Sequence, residues 1–233
     1  MNFNHKVVLI TGGTGALGHA VTQAFLQAGG RVVVTYTREP EFDALKEKVH
    51  ARENLLGIKT NVLDETSVKA MVQQAGRLGR IDVLVNTVGG FLGGVSIVET
   101  SLEQFDKMLA LNLKSAFLCC KHVLPVMMQQ NAGRIINIGS QGGLRGGEGI
   151  SAYGASKAGV INFTQSLAAE AKRYHITANT VVPGTIDTPA NRQAMPNANF
   201  NEWVTPEALA QTILFLASDE AQAINGAIVP VGG

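Results

Sequence analysis

The sequence contains few cysteines. Only two of its 233 residues are cysteine, Cys119 and Cys120, and they are adjacent inside an apolar stretch. The Cα atoms of neighbouring residues lie closer together than a relaxed disulfide prefers. We therefore predict two buried free thiols. Free thiols are typical of a reducing compartment, so we expect a cytoplasmic protein.

The chain also lacks an excess of positive or negative charge: its formal net charge is only +1, and no run of basic residues occurs. This balance argues against a nucleic-acid partner and against an anionic membrane surface. The apolar run near the N-terminus is too short for the core of a signal peptide, and we expect no membrane-spanning segment. The five histidines lack the spacing of metal ligands, so we predict no metal site.

Short runs of β-branched residues alternate with longer helical segments along the whole chain, which is typical of parallel βαβ units. The predicted strands are continuously apolar, as expected for strands that are buried on both faces. They cover residues 6–10, 31–36, 56–62, 81–90, 133–140, 176–184 and 227–233. We predict an α/β fold, a Rossmann-type doubly wound parallel sheet of about seven strands with helices on both faces. Residues 1–233 are predicted to form a single domain.

Loops of unusual composition follow the predicted strands at residues 11–18, 86–94, 140–149 and 183–188. In open α/β sheets, ligands bind outside the carboxyl ends of the strands. The first of these loops reads TGGTGALG and stands between a strand and a helix. Its glycines permit a tight turn, and the following helix N-terminus offers free N–H groups to a pyrophosphate. The cofactor-binding residues predicted in this loop are Thr11, Gly12, Gly15, Ala16, Leu17 and Gly18.

The end of the second strand predicts which dinucleotide binds. A carboxylate there normally selects the ribose 2′-hydroxyl of NAD, whereas an arginine accommodates the 2′-phosphate of NADP. The strand ends in Tyr36 and Thr37 and is followed by Arg38. This arrangement favours NADP(H) over NAD(H). Glu39 lies close by and leaves NAD(H) as the alternative.

Tyr153 and Lys157 are four residues apart on a predicted helix and therefore share one face. A free tyrosine titrates near pH 10, and a neighbouring cation favours the phenolate and lowers that pKa. Ser140 follows the fifth strand, so its hydroxyl is expected at the same edge of the sheet, where it can polarise a substrate carbonyl. We predict that these three residues form a catalytic group.

On these motifs the chain resembles the short-chain dehydrogenase/reductase superfamily, in its compact single-domain branch, from residue 6 to residue 233. Ser140, Tyr153 and Lys157 match the family's catalytic residues, and Asn112 matches its helix asparagine, which implies a lysine-linked proton relay through a water. The resemblance further implies that Tyr153 and Lys157 contact the cofactor, Lys157 at the nicotinamide ribose. It assigns to cofactor binding Asn61 and Val62 after strand three, Asn86 and Gly89 after strand four, and Pro183, Gly184, Thr185, Ile186 and Thr188 after strand six. Ala16 replaces one family glycine, and Gly15 gives the spacing of the extended branch instead.

A narrower resemblance covers residues 187–210, which are similar to the corresponding region of dihydropteridine reductases. Within it, Met195, Phe200 and Trp203 are expected either to line a substrate pocket or to fasten the loop to the body. Phe91 and Leu92 are expected on the opposite wall. Arg145 and Glu148 are expected to contact either a polar substrate or solvent.

The resemblance predicts an NAD(P)(H)-dependent oxidoreductase that acts on a small carbonyl, alcohol, pterin or quinone-like substrate. Two alternatives are a catalytically inactive dinucleotide-sensing protein of the same fold and an epimerase or dehydratase of the extended type. We also expect a homotetramer, or else a dimer, because two helices are rich in apolar residues. The residues concerned are Phe117, Leu118 and Val123 on one helix and Ala155, Ala158, Ile161, Leu167 and Ala168 on the other.

Overall fold

Seven parallel strands form one sheet in the computed structural model, which describes residues 1–232. The strand order is β3-β2-β1-β4-β5-β6-β7, so the order reverses between β1 and β4. A crevice forms at such a switch point, outside the carboxyl ends of the strands. The strands are β1 Val7–Thr11, β2 Arg31–Tyr36, β3 Leu55–Lys59, β4 Val83–Asn86, β5 Gly133–Ile138, β6 Ile176–Pro183 and β7 Ile228–Val231.

Helices cover both faces of the sheet, and each face has its own apolar core. Side chains of α1, α2 and α9 pack on one face, and those of α3, α5 and α7 pack on the other. The helices are α1 Ala16–Gln27, α2 Glu39–Lys48, α3 Glu65–Gly76, α4 Leu102–Met108, α5 Ser115–Gln130, α6 Gln141–Leu144, α7 Ser151–Ala171, α8 Pro189–Ala194 and α9 Pro206–Ala217. The predicted doubly wound sheet of seven strands is confirmed.

The segment from α4 to α5 is one continuous helix, Leu102–Gln130, with a π-helical stretch at Leu109–Lys114. By length and composition alone it qualifies as a membrane span, which the sequence analysis did not expect. Core helices of soluble proteins meet the same criterion. In this fold the inner side of the helix packs on the sheet, where Leu118, Val123 and Met127 are buried.

The two cysteines lie on the sheet-facing side of α5, and both are buried free thiols, as predicted. Burial in apolar surroundings raises the pKa of both thiols, that of Cys120 to about 12. They are therefore protonated and unreactive at neutral pH. Among residues 1–232, no group of three or more His, Cys, Asp and Glu side chains is placed to hold a metal ion.

The glycine loop after β1 is shaped by a close backbone approach at Gly18. A Cβ atom at that position would lie 2.1 Å from the carbonyl oxygen of Gly12, which is well inside van der Waals contact. At Gly15, in contrast, a Cβ atom would meet only the same oxygen at an ordinary 3.5 Å. The loop therefore needs glycine at position 18, where a side chain would clash, and tolerates a side chain at position 15.

We expect Gly18→Ala to lower the free energy of unfolding by about 1–3 kcal/mol, the usual cost of overpacking, even though alanine favours helices. The matched control, Gly15→Ala, should change it by less than about 1 kcal/mol, because the added methyl group has room. Urea denaturation followed by circular dichroism measures both values. Equal effects of the two substitutions would contradict this description of the loop.

Candidate active site

A cavity of about 490 Å³ opens at the carboxyl ends of β4, β5 and β6. Because the sheet is parallel, the loops that follow these strands meet at this edge. The cavity is lined by Leu17, Thr87, Gly89, Gly90, Phe91, Ile138, Gly139, Ser140, Gln141, Gly142, Ile150, Tyr153, Lys157, Pro183, Gly184, Thr185, Ile186, Asn191 and Met195. Eight predicted cofactor residues are in this set: Leu17, Gly89, Tyr153, Lys157, Pro183, Gly184, Thr185 and Ile186.

The first turn of α1 is suited to bind a pyrophosphate. Gly15 is the N-cap residue of α1, and no side chain accepts a hydrogen bond from the first-turn amides there. The N-termini of α3, α4 and α9 are each capped by a side-chain oxygen. Uncapped N–H groups at a helix N-terminus attract anions. This turn therefore fits the phosphates of a dinucleotide, as the glycine motif predicted.

Thr11 and Asn86, two predicted cofactor residues, are buried and line neither this cavity nor the one described next. The Thr11 hydroxyl donates to Asn86 Oδ1 (3.3 Å), and Asn86 Nδ2 donates to Asn137 Oδ1 (2.8 Å). Asn137 Nδ2 in turn donates to the Thr164 hydroxyl (2.8 Å). These side chains join β1, β4, β5 and α7 and so fix the strand ends, while the cofactor roles of Thr11 and Asn86 stay predictions. Sequence reasoning missed Asn137.

A second cavity of about 320 Å³ lies between the N-terminal half of α1 and α2. Gly15 and Ala16 line it together with His19, Glu41 and Lys48. The Nε2 atom of His19 is buried and has no hydrogen-bond partner among the described residues. Burial, which disfavours the imidazolium, and the nearby Lys48 ammonium together keep the pKa of His19 below its ordinary value.

The charged side chains after β2 are paired with one another. Arg38 forms an ion pair with Glu41, and its guanidinium is largely exposed. The Tyr36 hydroxyl donates to Glu39 Oε2 (2.6 Å), and this hydrogen bond raises the pKa of the phenol. Glu39, the acid that lies just after β2, is thus held by the hydrogen bond from Tyr36. Thr37 is exposed.

The remaining predicted cofactor residues lie outside both cavities. Asn61 forms a turn before α3, because its Oδ1 accepts from the backbone N–H of Leu63 (3.1 Å). Val62 is buried in the core. Thr188 is the N-cap residue of α8 and accepts from Asn191 N–H (3.1 Å). The residues that line neither cavity are Thr11, Gly12, Gly18, Tyr36, Thr37, Arg38, Asn61, Val62, Asn86 and Thr188.

Ser140, Tyr153 and Lys157 meet at the floor of the first cavity. Ser140 is the N-cap residue of α6, and its Oγ accepts from the backbone N–H of Gly142 (3.2 Å). Burial raises the pKa of the Tyr153 phenol, and a hydrogen bond from Ser140 partly opposes this rise. The pKa of Tyr153 is thus raised and not lowered as predicted, because burial of the phenol dominates.

Lys157 lies one helical turn beyond Tyr153 and is buried. Its Nζ donates to the backbone carbonyl of Ile138 (2.9 Å), so the ammonium is held at the end of β5. Burial disfavours the charged form and lowers the pKa of Lys157 to about 8. A buried lysine with a strongly shifted pKa inside a cavity is typical of a functional site.

Asn112 lies in the π-helical stretch, and its side chain forms three hydrogen bonds. Oδ1 accepts from Gly90 N–H (2.9 Å), while Nδ2 donates to the Gly90 carbonyl (3.1 Å) and to the Ser156 hydroxyl (2.8 Å). The Ser156 hydroxyl donates to the backbone carbonyl of Tyr153 (2.7 Å). Asn112 therefore holds the loop after β4 against the first turns of α7. Sequence reasoning missed Ser156, although its position next to Lys157 was a usable signal.

The segment between β6 and α9 contributes Asn191 and Met195 to the cavity wall, but not Phe200 or Trp203. These two rings pack on each other with centroids 4.7 Å apart, and Arg192 lies 4.6 Å over the ring of Phe200. In this structure both rings therefore pack within their own segment and stand outside the cavity. On the opposite wall, Phe91 lines the cavity. Leu92, Arg145 and Glu148 are not among the lining residues.

Only part of the predicted apolar surface of the two helices is exposed. Phe117, Ala155 and Ala158 face outward. The others are buried in the core of the chain itself, which corrects that part of the prediction: Leu118, Val123, Ile161, Leu167 and Ala168.

Comparison with known proteins places the chain in a family. Residues 6–199 match the family model described as short chain dehydrogenase. The chain is 35 % identical over 246 residues to the 3-oxoacyl-(acyl-carrier-protein) reductase FabG of Thermotoga maritima, with 100 % of this chain and 98 % of the relative covered. It is 33 % identical over 247 residues to the 7alpha-hydroxysteroid dehydrogenase of Bacteroides fragilis, with 99 % and 94 % covered.

Among solved structures, ElxO with NADP bound superposes with a TM-score of 0.90 at 30 % identity, covering 97 % of this chain and 96 % of that one. These relatives do not bear on the local resemblance to dihydropteridine reductases, which stays a prediction. The family match covers most of the chain and includes the Ser140, Tyr153 and Lys157 positions. The chain belongs to the short-chain dehydrogenase/reductase family and is a nicotinamide-dependent oxidoreductase.

Proposed function

We propose that this protein reduces a small carbonyl compound to an alcohol, and catalyses the reverse oxidation, with Tyr153 as the general acid/base. The observation that carries the proposal is the meeting of a phenol, a serine hydroxyl and a buried ammonium on the floor of one cavity. The names of the relatives, which include reductases and a dehydrogenase, support this reaction class. The whole chain, 1–233, would act as a single domain, and its free thiols fit a cytoplasmic location.

The chain's own residues supply the proton chemistry. A bound nicotinamide cofactor supplies the hydride for the substrate carbon. The carbonyl oxygen then gains negative charge, which the Ser140 hydroxyl stabilises by donating a hydrogen bond. Because burial keeps the pKa of Tyr153 high, the phenol is protonated at neutral pH and can give its proton to that oxygen. The products are the alcohol and a tyrosinate beside Lys157.

Lys157 and Asn112 would complete the proton path. The pKa of Lys157, about 8, allows the ammonium to exchange a proton near neutral pH. Lys157 is also the residue we propose for holding the nicotinamide ribose. The Asn112 side chain is engaged with Gly90 and Ser156, so we propose that it acts on the relay by positioning these neighbours. An inactive sensor would have no need of the full set Ser140, Tyr153 and Lys157.

The Tyr153→Phe substitution removes the acidic proton and keeps the ring. We expect kcat for carbonyl reduction to fall by roughly 10²–10⁴-fold, the usual contribution of a general acid. The matched control, Tyr174→Phe, changes a tyrosine that does not line the cavity and should keep the wild-type rate. Steady-state oxidation of NADPH and NADH against a panel of ketones measures both. Near-full activity of Tyr153→Phe would refute the proposed acid.

We propose NADP(H) as the preferred cofactor. Arg38 is exposed at the end of β2 and Lys48 lines the neighbouring cavity, so two cationic side chains lie near the expected 2′-phosphate position. The carboxylate of Glu39 is engaged by Tyr36 rather than free to meet a ribose hydroxyl. Gly15 and Ala16 would hold the phosphates with the first-turn amides of α1. NADP bound to the related ElxO supports the same choice.

Direct titration of the protein with NADPH and NADH measures this preference. A charge-assisted contact is worth about 1.5–3 kcal/mol, so NADPH should bind roughly ten- to 100-fold more tightly. Arg38→Leu should weaken NADPH binding and leave NADH binding unchanged. Arg77→Leu, which removes an exposed arginine at the end of α3, should change neither. Equal dissociation constants of the wild type for both cofactors would overturn the proposal.

We further propose a homo-oligomer, a tetramer or else a dimer. An open apolar groove of about 540 Å³ lies between the π-helical stretch, α5 and α7. Its walls include Leu109, Leu113, Phe117 and Phe163, and Phe117 is 44 % exposed. An apolar patch of this kind on the outer side of two helices is typical of a contact with another subunit. A symmetric pairing of the two helices is the commonest solution.

Light scattering at micromolar concentration measures the assembly. We expect a mass two or four times that of the 24.6 kDa chain. Phe117→Glu places a charge in the groove and should reduce this mass, whereas Phe215→Glu, on the outer side of α9, should be less disruptive. A wild-type protein that is monomeric under these conditions would contradict the proposal.

A further inference from the structure

Phe91 is a large apolar side chain that stands exposed next to the proposed acid. Its side chain is 70 % exposed, although it lines the cavity. The ring meets the ring of Tyr153 edge to face, with centroids 4.9 Å apart and an interplanar angle of 76°. An exposed phenylalanine contributes little to folding, so its place beside the reacting phenol calls for another explanation.

Backbone contacts hold the Phe91 ring in position. Gly93 passes directly beneath it, and a Cβ atom at Gly93 would lie 2.4 Å from the Cζ atom of Phe91. The residue before Phe91 is Gly90, whose N–H and carbonyl are both bound by Asn112. The Phe91 ring therefore packs on Gly93, and the hydrogen bonds between Gly90 and Asn112 fix the backbone just before it. Its position is built into the loop.

Part of the remaining cavity wall is also apolar, and most of its polar side chains are uncharged. Ile150 and Met195 form two further apolar sides. The loops after β4 and β5 are joined by a hydrogen bond from Val95 N–H to the Gly149 carbonyl (3.4 Å), which closes the rim beside Phe91. Apart from Tyr153 and Lys157, none of the described lining residues has an ionisable side chain. Lys157 is therefore the one cationic side chain among the described lining residues, and its Nζ already donates to the Ile138 carbonyl.

We infer that Phe91 is a specificity-determining residue whose ring packs against an apolar ring or branched group attached to the substrate carbonyl. The substrate class is an uncharged aromatic or alicyclic ketone or aldehyde. A ketone with a carboxylate next to the carbonyl is disfavoured, because its charge would lie against Phe91, Ile150 and Met195, with no cationic side chain among the residues described on that side of the cavity. This inference rests on the proposed carbonyl reduction and names the substrate for the same site.

Three probe substrates separate the effects of ring and charge. They are acetophenone, 2-butanone, which lacks the ring, and benzoylformate, which keeps the ring and adds a carboxylate. With the wild type and the preferred cofactor, kcat/KM should be highest for acetophenone. Phe91→Ala should lower kcat/KM for acetophenone by roughly tenfold, as expected for the loss of an aromatic contact, and that for 2-butanone by less than about threefold. Phe91→Tyr should restore the wild-type ratio.

Ile97→Ala is the control, because Ile97 is exposed in the same segment and does not line the cavity; it should leave the ratio unchanged. The pH profile of kcat should be the same in Phe91→Ala and the wild type. The inference is overturned if Phe91→Ala lowers both ketones equally or moves the profile, since the ring would then serve only to position Tyr153. It is also overturned if benzoylformate is the better substrate. If the wild type reduces none of the probes and no other carbonyl compound, the proposed function itself fails.

Discussion

The geometry of the site depends on the buried amide of Asn112. One short side chain binds both backbone groups of Gly90 and the Ser156 hydroxyl. Gly90 fixes the start of the loop that carries Phe91, and Ser156 is bonded to the backbone of Tyr153. A wall of the cavity and its acid are therefore held relative to each other by a single residue. A fully bonded buried amide of this kind rigidifies its surroundings, because losing any one partner would leave a desolvated polar group.

The π-helical stretch places the Asn112 side chain within hydrogen-bond distance of Gly90 and Ser156. Such stretches are rare, and they occur mostly as single wide turns at functional sites. Here the stretch lies between α4 and α5, opposite the loop after β4 and the start of α7. A regular helix continuing from Leu102 would change the direction of every side chain after the stretch. The wide turn thus directs Asn112 toward the site. At the same time, the apolar side of α5, with Leu118 and Val123, stays packed on the sheet.

Burial of Lys157 has an energetic cost. The side chain is 6 % exposed, and its pKa falls to about 8 because the interior disfavours the ammonium. The hydrogen bond to the Ile138 carbonyl offsets part of this cost. An apolar residue at this position would avoid the desolvation cost of the ammonium. The presence of a lysine is therefore explained by the charge and the proton that it supplies to the site. Tyr153 and Lys157 are neighbours on α7, and the parallel sheet brings Ser140, which follows β5, to the same place.

Much of this could be predicted from sequence because it depends on local patterns. Apolar runs located the seven strands, the glycine loop located the turn after β1, and chain spacing identified Ser140, Tyr153 and Lys157. The directions of side chains could not be predicted, because they depend on neighbours from distant elements. Thus the hydrogen bonds from Asn86 to Asn137 and from Lys157 to the Ile138 carbonyl could not be foreseen.

The same limit applies to Phe91. From the sequence it is one apolar residue among many, and only the structure shows its contacts with Gly93 and Tyr153.

The central claim is that this cavity reduces carbonyl groups by direct hydride transfer. The most direct measurement uses NADPH and NADH that carry two deuterium atoms at C4, with acetophenone as substrate, followed by mass spectrometry and NMR of the product. The account predicts one deuterium on the carbinol carbon and a solvent-derived proton on its oxygen. A product without deuterium at that carbon would contradict it.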